Sequence, residues 1–77
     1  MEGESGSGQV GLLSPREAAI IELVAEGWTN REIARHFWVT ETTVKFHLTR
    51  IFRKLGVTNR TAAAKRWHDE STVARSS

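Results

Sequence analysis

The segment from Thr40 to Gly56 restricts the fold more than any other part of the sequence. Its apolar residues recur at intervals of three or four positions, which predicts one buried stripe on an amphipathic helix of about four turns. The stripe consists of Val44, Leu48, Ile51 and Leu55. Thr40 is suited to cap the start of this helix, and Gly56 is suited to end it. Further helices are needed to cover the stripe.

The opposite face of this predicted helix is polar and basic, with one aromatic residue at its centre. At about 100° per residue, the outward positions are Thr42, Phe46, Thr49 and Arg53, with Lys45 and Arg50 beside them. Phe46 has no packing role on an outward face, so we expect this face to contact another molecule. Two alternatives for Phe46 remain open, namely a contact with another protein and cover by the N-terminal residues.

Charge is distributed unevenly along the chain. Residues 1–44 carry three basic and seven acidic side chains, whereas residues 45–68 carry seven basic side chains and no acidic one. The formal net charge of +2 therefore conceals one strongly positive segment. Such a segment indicates a polyanionic partner rather than a mixed, solvated surface.

Length and composition exclude several classes of protein. With 77 residues and no cysteine, the chain is expected to form one small domain without disulfides or thiolate metal sites. The three histidines lack the spacing of metal ligands, and no phosphate-binding glycine loop or nucleophile motif is present. We therefore expect no enzyme, no catalytic residue, no metal and no cofactor. No apolar run is long enough to cross a membrane, so a cytoplasmic location is expected.

A capping box opens the first predicted helix. Ser14 is the N-cap, and Glu17 stands three positions later, where its side chain reaches back to the cap. Gly27 ends this helix. Its apolar residues predict a buried stripe of Ile20, Leu23 and Val24, with Ile21 at the edge. Because Glu17 lies near the core side of the helix, we expect it to act as a cap or in an ion pair rather than in catalysis.

A second capping box, formed by Thr29 and Glu32, opens a shorter helix that ends at Phe37. A turn of about three residues separates it from the helix that follows Thr40. A short helix, a tight turn and a longer helix with a basic outward face form the helix-turn-helix arrangement.

An alanine-rich segment predicts a fourth helix from Arg60 to about Asp69, capped by Thr58 or Asn59. Three tryptophans exceed what so small a core can hold, and Trp67 on this helix is the candidate for a subunit contact. No strand pattern is present. The predicted organisation is a flexible leader (1–11), an all-α domain of four helices (12–70) and a frayed tail (71–77).

The helix-turn-helix arrangement predicts that the Thr40–Gly56 helix lies in the major groove of duplex DNA. The Lys45 ammonium can donate to guanine N7 or O6, and the Phe46 ring can pack on thymine methyl groups. The Thr49 hydroxyl can either donate to a base edge or accept from one. The predicted base-contacting residues are Lys45, Phe46, Thr49, Thr42 and Arg50. The predicted phosphate-contacting residues are Thr29, Thr40, Arg53, Lys54, Asn59 and Arg60. For Arg53 and Lys54, a plain solvated surface is the alternative.

Three segments together resemble the C-terminal DNA-binding domain of the LuxR (GerE-like) family of bacterial transcription regulators. These are LSPRE, AEGWTNREIA and VTETTVKFHLTRIFRKLGVTNRTAA, which lie in this order between about Leu13 and Arg66. The resemblance implies a four-helix fold whose third helix reads DNA and whose fourth helix forms the dimer contact. It also implies base-reading roles for Lys45, Phe46 and Thr49.

The fourth helix departs from this family pattern. Lys65 and Arg66 stand where relatives often carry apolar residues, which leaves Ala62, Ala63 and Trp67 as the predicted dimer contact. Relatives also usually carry a sensory domain upstream. The chain is accordingly expected to be a stand-alone member without a sensory domain, or a fragment.

The leading functional hypothesis is a sequence-specific, double-stranded-DNA-binding transcription regulator that acts as a homodimer on two half-sites. The alternative is a protein-interaction module, similar to region four of a sigma factor, that acts on RNA polymerase or another regulator. A third hypothesis, an antagonist that only heterodimerises through the Trp67 helix, leaves the basic face unexplained.

Overall fold

The computed structural model describes residues 9–76, and side-chain environments within residues 11–70. A short 3-10 helix at Gln9–Leu12 precedes four α-helices. The helices are α1 (Pro15–Ala25), α2 (Asn30–Phe37), α3 (Glu41–Leu55) and α4 (Arg60–Ser76). Because no strand occurs in residues 9–76, the predicted all-α class and the four helices are confirmed.

Side chains cap the helices at the predicted positions. The Ser14 hydroxyl accepts the Glu17 N–H at 3.1 Å, and the Glu17 carboxylate accepts the Ser14 N–H at 2.9 Å. Thr29 and Glu32 form the same reciprocal pair at 3.1 and 2.8 Å. Thr40 caps α3 through one N–H of its first turn at 3.1 Å. Each cap satisfies backbone donors that a helix leaves unpaired, and therefore fixes where the helix begins.

The start of α4 and the ends of α2 and α3 are also defined by single residues. Of the two candidates for the α4 cap, Asn59 accepts a backbone N–H of the first turn at 2.8 Å. Helix α3 ends at Gly56 with φ 71°, a left-handed conformation that glycine adopts without steric cost. Helix α2 ends at Trp38 in the same region, with φ 60°. A residue with a Cβ is strained there by about 1–2 kcal/mol.

Ten apolar side chains from all four helices form one core. They are Ile20, Ile21, Val24, Ile33, Ala34, Val44, Leu48, Ile51, Leu55 and Ala63. The predicted stripe of α3 is confirmed, since none of its four side chains is more than 5% exposed. On α1 the prediction is partly wrong, because Ile21 is fully buried instead of lying at the edge and Leu23 is only half-buried. Four apolar residues within the five positions 20–24 leave the rotation of α1 open until the other helices pack on it.

Two predicted boundaries differ from the structure. Helix α4 continues to Ser76, beyond the predicted end near Asp69, and the fraying of residues 71–77 stays a prediction. The predicted leader falls mostly on residues 1–8, which lie outside the described part of the chain. Its last three residues belong to the 3-10 helix, which contacts α3 and α4.

Candidate nucleic-acid interface

Helix α3 presents most of the residues predicted to contact DNA on one exposed surface, here called the outer face of α3. Its members are Thr42, Lys45, Phe46, Thr49, Arg50 and Arg53. Phe46 is 63% exposed although it lies in the middle of the helix. A shallow depression beside it is lined by Phe46, Thr49, Arg50, Arg53 and Lys54. The structure therefore brings together the predicted base-contacting residues with two of the predicted phosphate-contacting ones.

Thr49 has a defined hydrogen-bonding state on this face. Its hydroxyl donates to the backbone carbonyl of Lys45, one turn earlier, at 3.1 Å. A hydroxyl has one donor and two acceptor lone pairs, so Thr49 retains acceptor capacity toward an external N–H. In a major groove, such donors are the amino groups of cytosine and adenine.

Helix α2 packs directly behind α3 and completes the helix-turn-helix arrangement. Ile33 and Ala34 of α2 are buried, and the small side chain of Ala34 allows the helices to approach closely. The turn between them is held by the Val39 N–H, which donates to the Ala34 carbonyl at 3.0 Å. Trp38, in this turn, is 93% exposed, which agrees with the prediction of surface tryptophans.

Glu17 of α1 contacts the basic edge of α3, which is formed by Arg50 and Lys54. Its side chain is buried, and Lys54 Nζ donates to its Oε1 at 2.7 Å. Arg50 Nε lies 3.7 Å from its Oε2. Burial raises the pKa of this carboxyl, but hydrogen bonds from Lys54 and the Ser14 N–H, with the charges of Lys54 and Arg50, lower the net pKa below 4.5. The predicted cap and ion-pair roles of Glu17 are both confirmed.

Arg60 is also engaged within the domain. Its Nη1 donates to Asn30 Oδ1 at 2.6 Å, and its Nη2 donates to the Trp28 carbonyl. These bonds join the start of α4 to the start of α2. A phosphate contact by Arg60 would therefore have to use the remaining donors of a guanidinium that already holds two helices together.

The other predicted phosphate-contacting residues lie at helix starts. Thr29 and Thr40 are exposed, and each side chain accepts the third N–H of its own helix. Asn59 is exposed and does the same for α4. The caps therefore leave the first two N–H groups of each helix for an external acceptor, where the helix dipole favours an anion.

The predicted dimer residues of α4 are not equally accessible. Ala63 is fully buried in the core, so its predicted dimer contact is wrong, because its side chain presents no surface to a partner. Ala62 is half-buried, and Trp67 is half-buried against the core of its own chain. Within residues 60–70, the exposed side chains of α4 are Thr61, Lys65, His68 and Asp69. The run of three alanines gives no sequence signal for which one faces inward.

Metal-binding clusters and membrane-spanning helices are both absent from the part of the chain that the structure describes. Within it, no cluster of three or more His, Cys, Asp or Glu side chains is arranged to hold a metal ion. No helix there combines the length and the apolar character that crossing a membrane requires.

Curated relatives match most of this chain but only a part of their own length. The transcriptional regulatory protein LiaR of Bacillus subtilis (strain 168) is 48% identical over 61 residues, which cover 79% of this chain and 29% of that protein. The nitrate/nitrite response regulator protein NarL of Escherichia coli (strain K12) is 41% identical over 61 residues, covering 79% of this chain and 28% of that protein. The chain thus spans less than one third of the length of either protein.

A solved structure and a family description agree with these relatives. The response regulator ChrA of a heme-sensing two-component system superimposes with a TM-score of 0.73 at 35% identity, covering 92% of this chain and 32% of that chain. The family of bacterial regulatory proteins of the luxR type (GerE) matches residues 11–66, which include the end of the 3-10 helix, α1, α2, α3 and the first part of α4. The chain therefore belongs to the LuxR family of bacterial regulatory proteins.

Proposed function

We propose that this chain is a sequence-specific regulator of transcription that binds double-stranded DNA through the outer face of α3. The observation that carries the proposal is the division of α3 into a stripe that is at most 5% exposed and an opposite face that exposes Phe46 among cations. Membership of the LuxR family supports it, as do relatives that are named transcriptional regulators.

In the proposed complex, the N-terminal half of α3 reads base edges in the major groove. Lys45 donates to guanine N7 or O6, and Phe46 packs on thymine methyl groups. Thr49 accepts from an amino group, since its own proton is committed to the Lys45 carbonyl. Thr42 and Arg50 contact bases at either end of this segment.

Phosphate contacts come from side chains and from helix starts. Arg53 is exposed and forms no ion pair with any residue that the structure describes, so its charge is available to a phosphate. The unpaired N–H groups that follow Thr29, Thr40 and Asn59 are the second group of donors. Lys54 and Arg60 contribute less, because both bond within the domain.

We further propose that two chains bind together on half-sites about one helical turn apart. Of the predicted residues, Ala62 and Trp67 retain exposed area on α4 for this contact. The protein acts in the cytoplasm, where its DNA lies.

Selection of bound duplexes from a random pool tests the proposal, with the stoichiometry of the complex measured alongside. Lys45→Ala and Thr49→Ala should each change the preference at particular base pairs by about 1–3 kcal/mol. Lys65→Ala removes an exposed cation from α4 and is the matched control, with no change in preference expected. Equal weakening of all sequences by the α3 variants would contradict base reading by this helix.

A protein-interaction module that acts on RNA polymerase or another regulator is the second candidate. The observation that favours it is Trp38, which is 93% exposed at the α2–α3 turn, since exposed tryptophans are enriched at protein interfaces. Salt separates the two candidates, because each neutralised phosphate lowers log K by about 0.9 per unit of log salt concentration. A salt-insensitive complex with polymerase and no affinity for duplex DNA would favour the second candidate.

A further inference from the structure

Glu17 and Lys54 form a close charge pair beside the proposed DNA-binding surface. The Ser14 N–H at 2.9 Å and Lys54 Nζ at 2.7 Å both donate to the same carboxylate oxygen, Glu17 Oε1. The Glu17 side chain is 4% exposed and that of Lys54 is 32% exposed. The capping box of α1 thus fixes an anion that holds the last lysine of α3.

Outside the domain, the electrostatic effects of the Glu17 carboxylate and the Lys54 ammonium largely cancel. A phosphate near Lys54 experiences the ammonium together with a carboxylate 2.7 Å away, so the net attraction is small. Moving Lys54 onto the phosphate would deprive a buried carboxylate of its closest partner, which is strongly unfavourable. Burial raises the pKa of Glu17, but the hydrogen bonds from Lys54 and the Ser14 N–H, with the charges of Lys54 and Arg50, together lower it more. The carboxylate therefore stays charged at neutral pH.

Arg50, the other cation near Glu17, is in a different position. Its Nε is 3.7 Å from the carboxylate, and its side chain is 53% exposed. At this distance no direct hydrogen bond forms, and most of the guanidinium remains open to solvent. Glu17 therefore binds Lys54 and leaves Arg50 largely available.

We propose that Glu17 withholds Lys54 from DNA phosphates and so limits the sequence-independent part of DNA affinity. This inference rests on the proposed DNA-binding function. It makes Glu17 a positioning residue that acts through Lys54, without touching DNA itself. Lys54 then belongs to the structural ion pairs, although its place on the basic edge of α3 predicts a phosphate contact.

The salt dependence of binding to a short duplex of random sequence tests this inference in the full chain. Glu17→Gln keeps an amide oxygen for the Ser14 N–H but removes the charge. The bond from Lys54 then ends on a neutral oxygen and is weaker, so a phosphate can displace it and Lys54 can neutralise one more phosphate. The slope of log K against log salt should then steepen by about 0.9. Between about 50 and 200 mM salt, this is a roughly three- to fourfold larger loss of affinity than in the wild type.

Glu22→Gln is the matched control, because Glu22 is exposed on the same helix and forms no ion pair with a described residue. It makes the same change in net charge without releasing a cation, so its slope should equal that of the wild type. In Glu17→Gln/Lys54→Met the slope should return to the wild-type value. A slope shallower than wild type by about 0.9 in this double variant would mean that Lys54 already contacts a phosphate, and would overturn the inference.

A second measurement uses the unmodified chain and so is independent of variant folding. The side-chain ammonium signal of Lys54, followed by NMR in an isotope-labelled sample, should not change when the duplex is added. The signal of Lys45, on the outer face of α3, should shift. A shift of Lys54 equal to that of Lys45 would contradict the inference, whereas no affinity for any duplex would contradict the proposed function instead.

Discussion

Helices α3 and α4 share the seven basic side chains of residues 45–68 but use them differently. In α4, the guanidinium of Arg60 bonds to the start of α2, Arg66 donates to the Leu55 carbonyl, and Lys65 pairs with Asp69. In α3, Lys54 is bound to Glu17 and Arg50 lies 3.7 Å from it but stays half exposed, whereas Lys45 and Arg53 form no ion pair with any described residue. The cations of α4 therefore mainly stabilise the domain, and those of α3 are mainly available to a partner.

This difference shows what a count of charges leaves out. A run of cations without carboxylates indicates a polyanionic partner. Counting these charges does not show which cations remain available after the chain folds. In the folded chain, carboxylate and carbonyl groups from other segments bond to some of these cations. The predicted DNA footprint is then smaller than the charge of the segment suggests, and it is concentrated on the outer face of α3.

Among substitutions of these basic residues, the removal of Arg60 should lower the free energy of unfolding the most. Arg60→Met leaves Asn30 and the Trp28 carbonyl without their donors, and hydrogen bonds to charged groups contribute about 1.5–3 kcal/mol. We expect the free energy of unfolding to fall by about 3 kcal/mol. Arg53→Met is the control, with a change within about 0.5 kcal/mol. Chemical denaturation measures both, and equal losses would remove the distinction between α3 and α4.

The ion pair between Glu17 of α1 and Lys54 of α3 should make the free energy of unfolding depend on pH in the acidic range. The pKa of Glu17 is lowered in the folded chain, so its ion pair contributes fully to the free energy of unfolding at pH values above the pKa of the unfolded chain. This contribution is lost as the pH falls through the folded pKa. Glu17→Gln should therefore flatten the decline of unfolding free energy in this acidic range. Glu22→Gln should leave the shape of the curve unchanged. An acid-side decline that Glu17→Gln does not alter would show that the Glu17–Lys54 pair adds nothing to stability.

These contacts mark the limit of sequence-based prediction for this fold. The caps at Ser14, Thr29 and Thr40 are local patterns, and the stripe of α3 is a periodic one, so both were predictable. The pairing of Glu17 with Lys54 spans 37 positions, and that of Arg60 with the Trp28 carbonyl spans 32. Such partners are chosen by the packing of whole helices, which no local pattern encodes.

The same limit applies where several residues are alike. Nothing distinguishes Ala63 from its two alanine neighbours until α4 is rotated against the core, and only then does it become the buried one. The exposed outer face of α3 was predictable because its stripe is unambiguous. Its use by DNA stays a prediction.

Loss of a single exposed cation of α3 should have a moderate effect on DNA binding. Arg53→Met should reduce the slope of log K against log salt by about 0.9, because one phosphate contact is lost. Arg66→Met is the counterpart on α4, and it should leave the slope unchanged, since Arg66 bonds to the Leu55 carbonyl. Binding titrations over a salt series measure both slopes. A reduced slope in Arg66→Met would place α4 against the phosphate backbone.

Lys65 should show the smallest effect of all. Its ammonium lies 3.0 Å from the Asp69 carboxylate, but both side chains are more than half exposed, at 75% and 57%. Exposed pairs at this spacing on a helix contribute about 0.3–0.5 kcal/mol and are screened by salt. Lys65→Met should lower the free energy of unfolding by no more than this at low salt, and the difference should shrink as salt is added. A larger, salt-resistant loss would mean that Lys65 is buried in the native assembly, which would point to α4 as the contact between two chains.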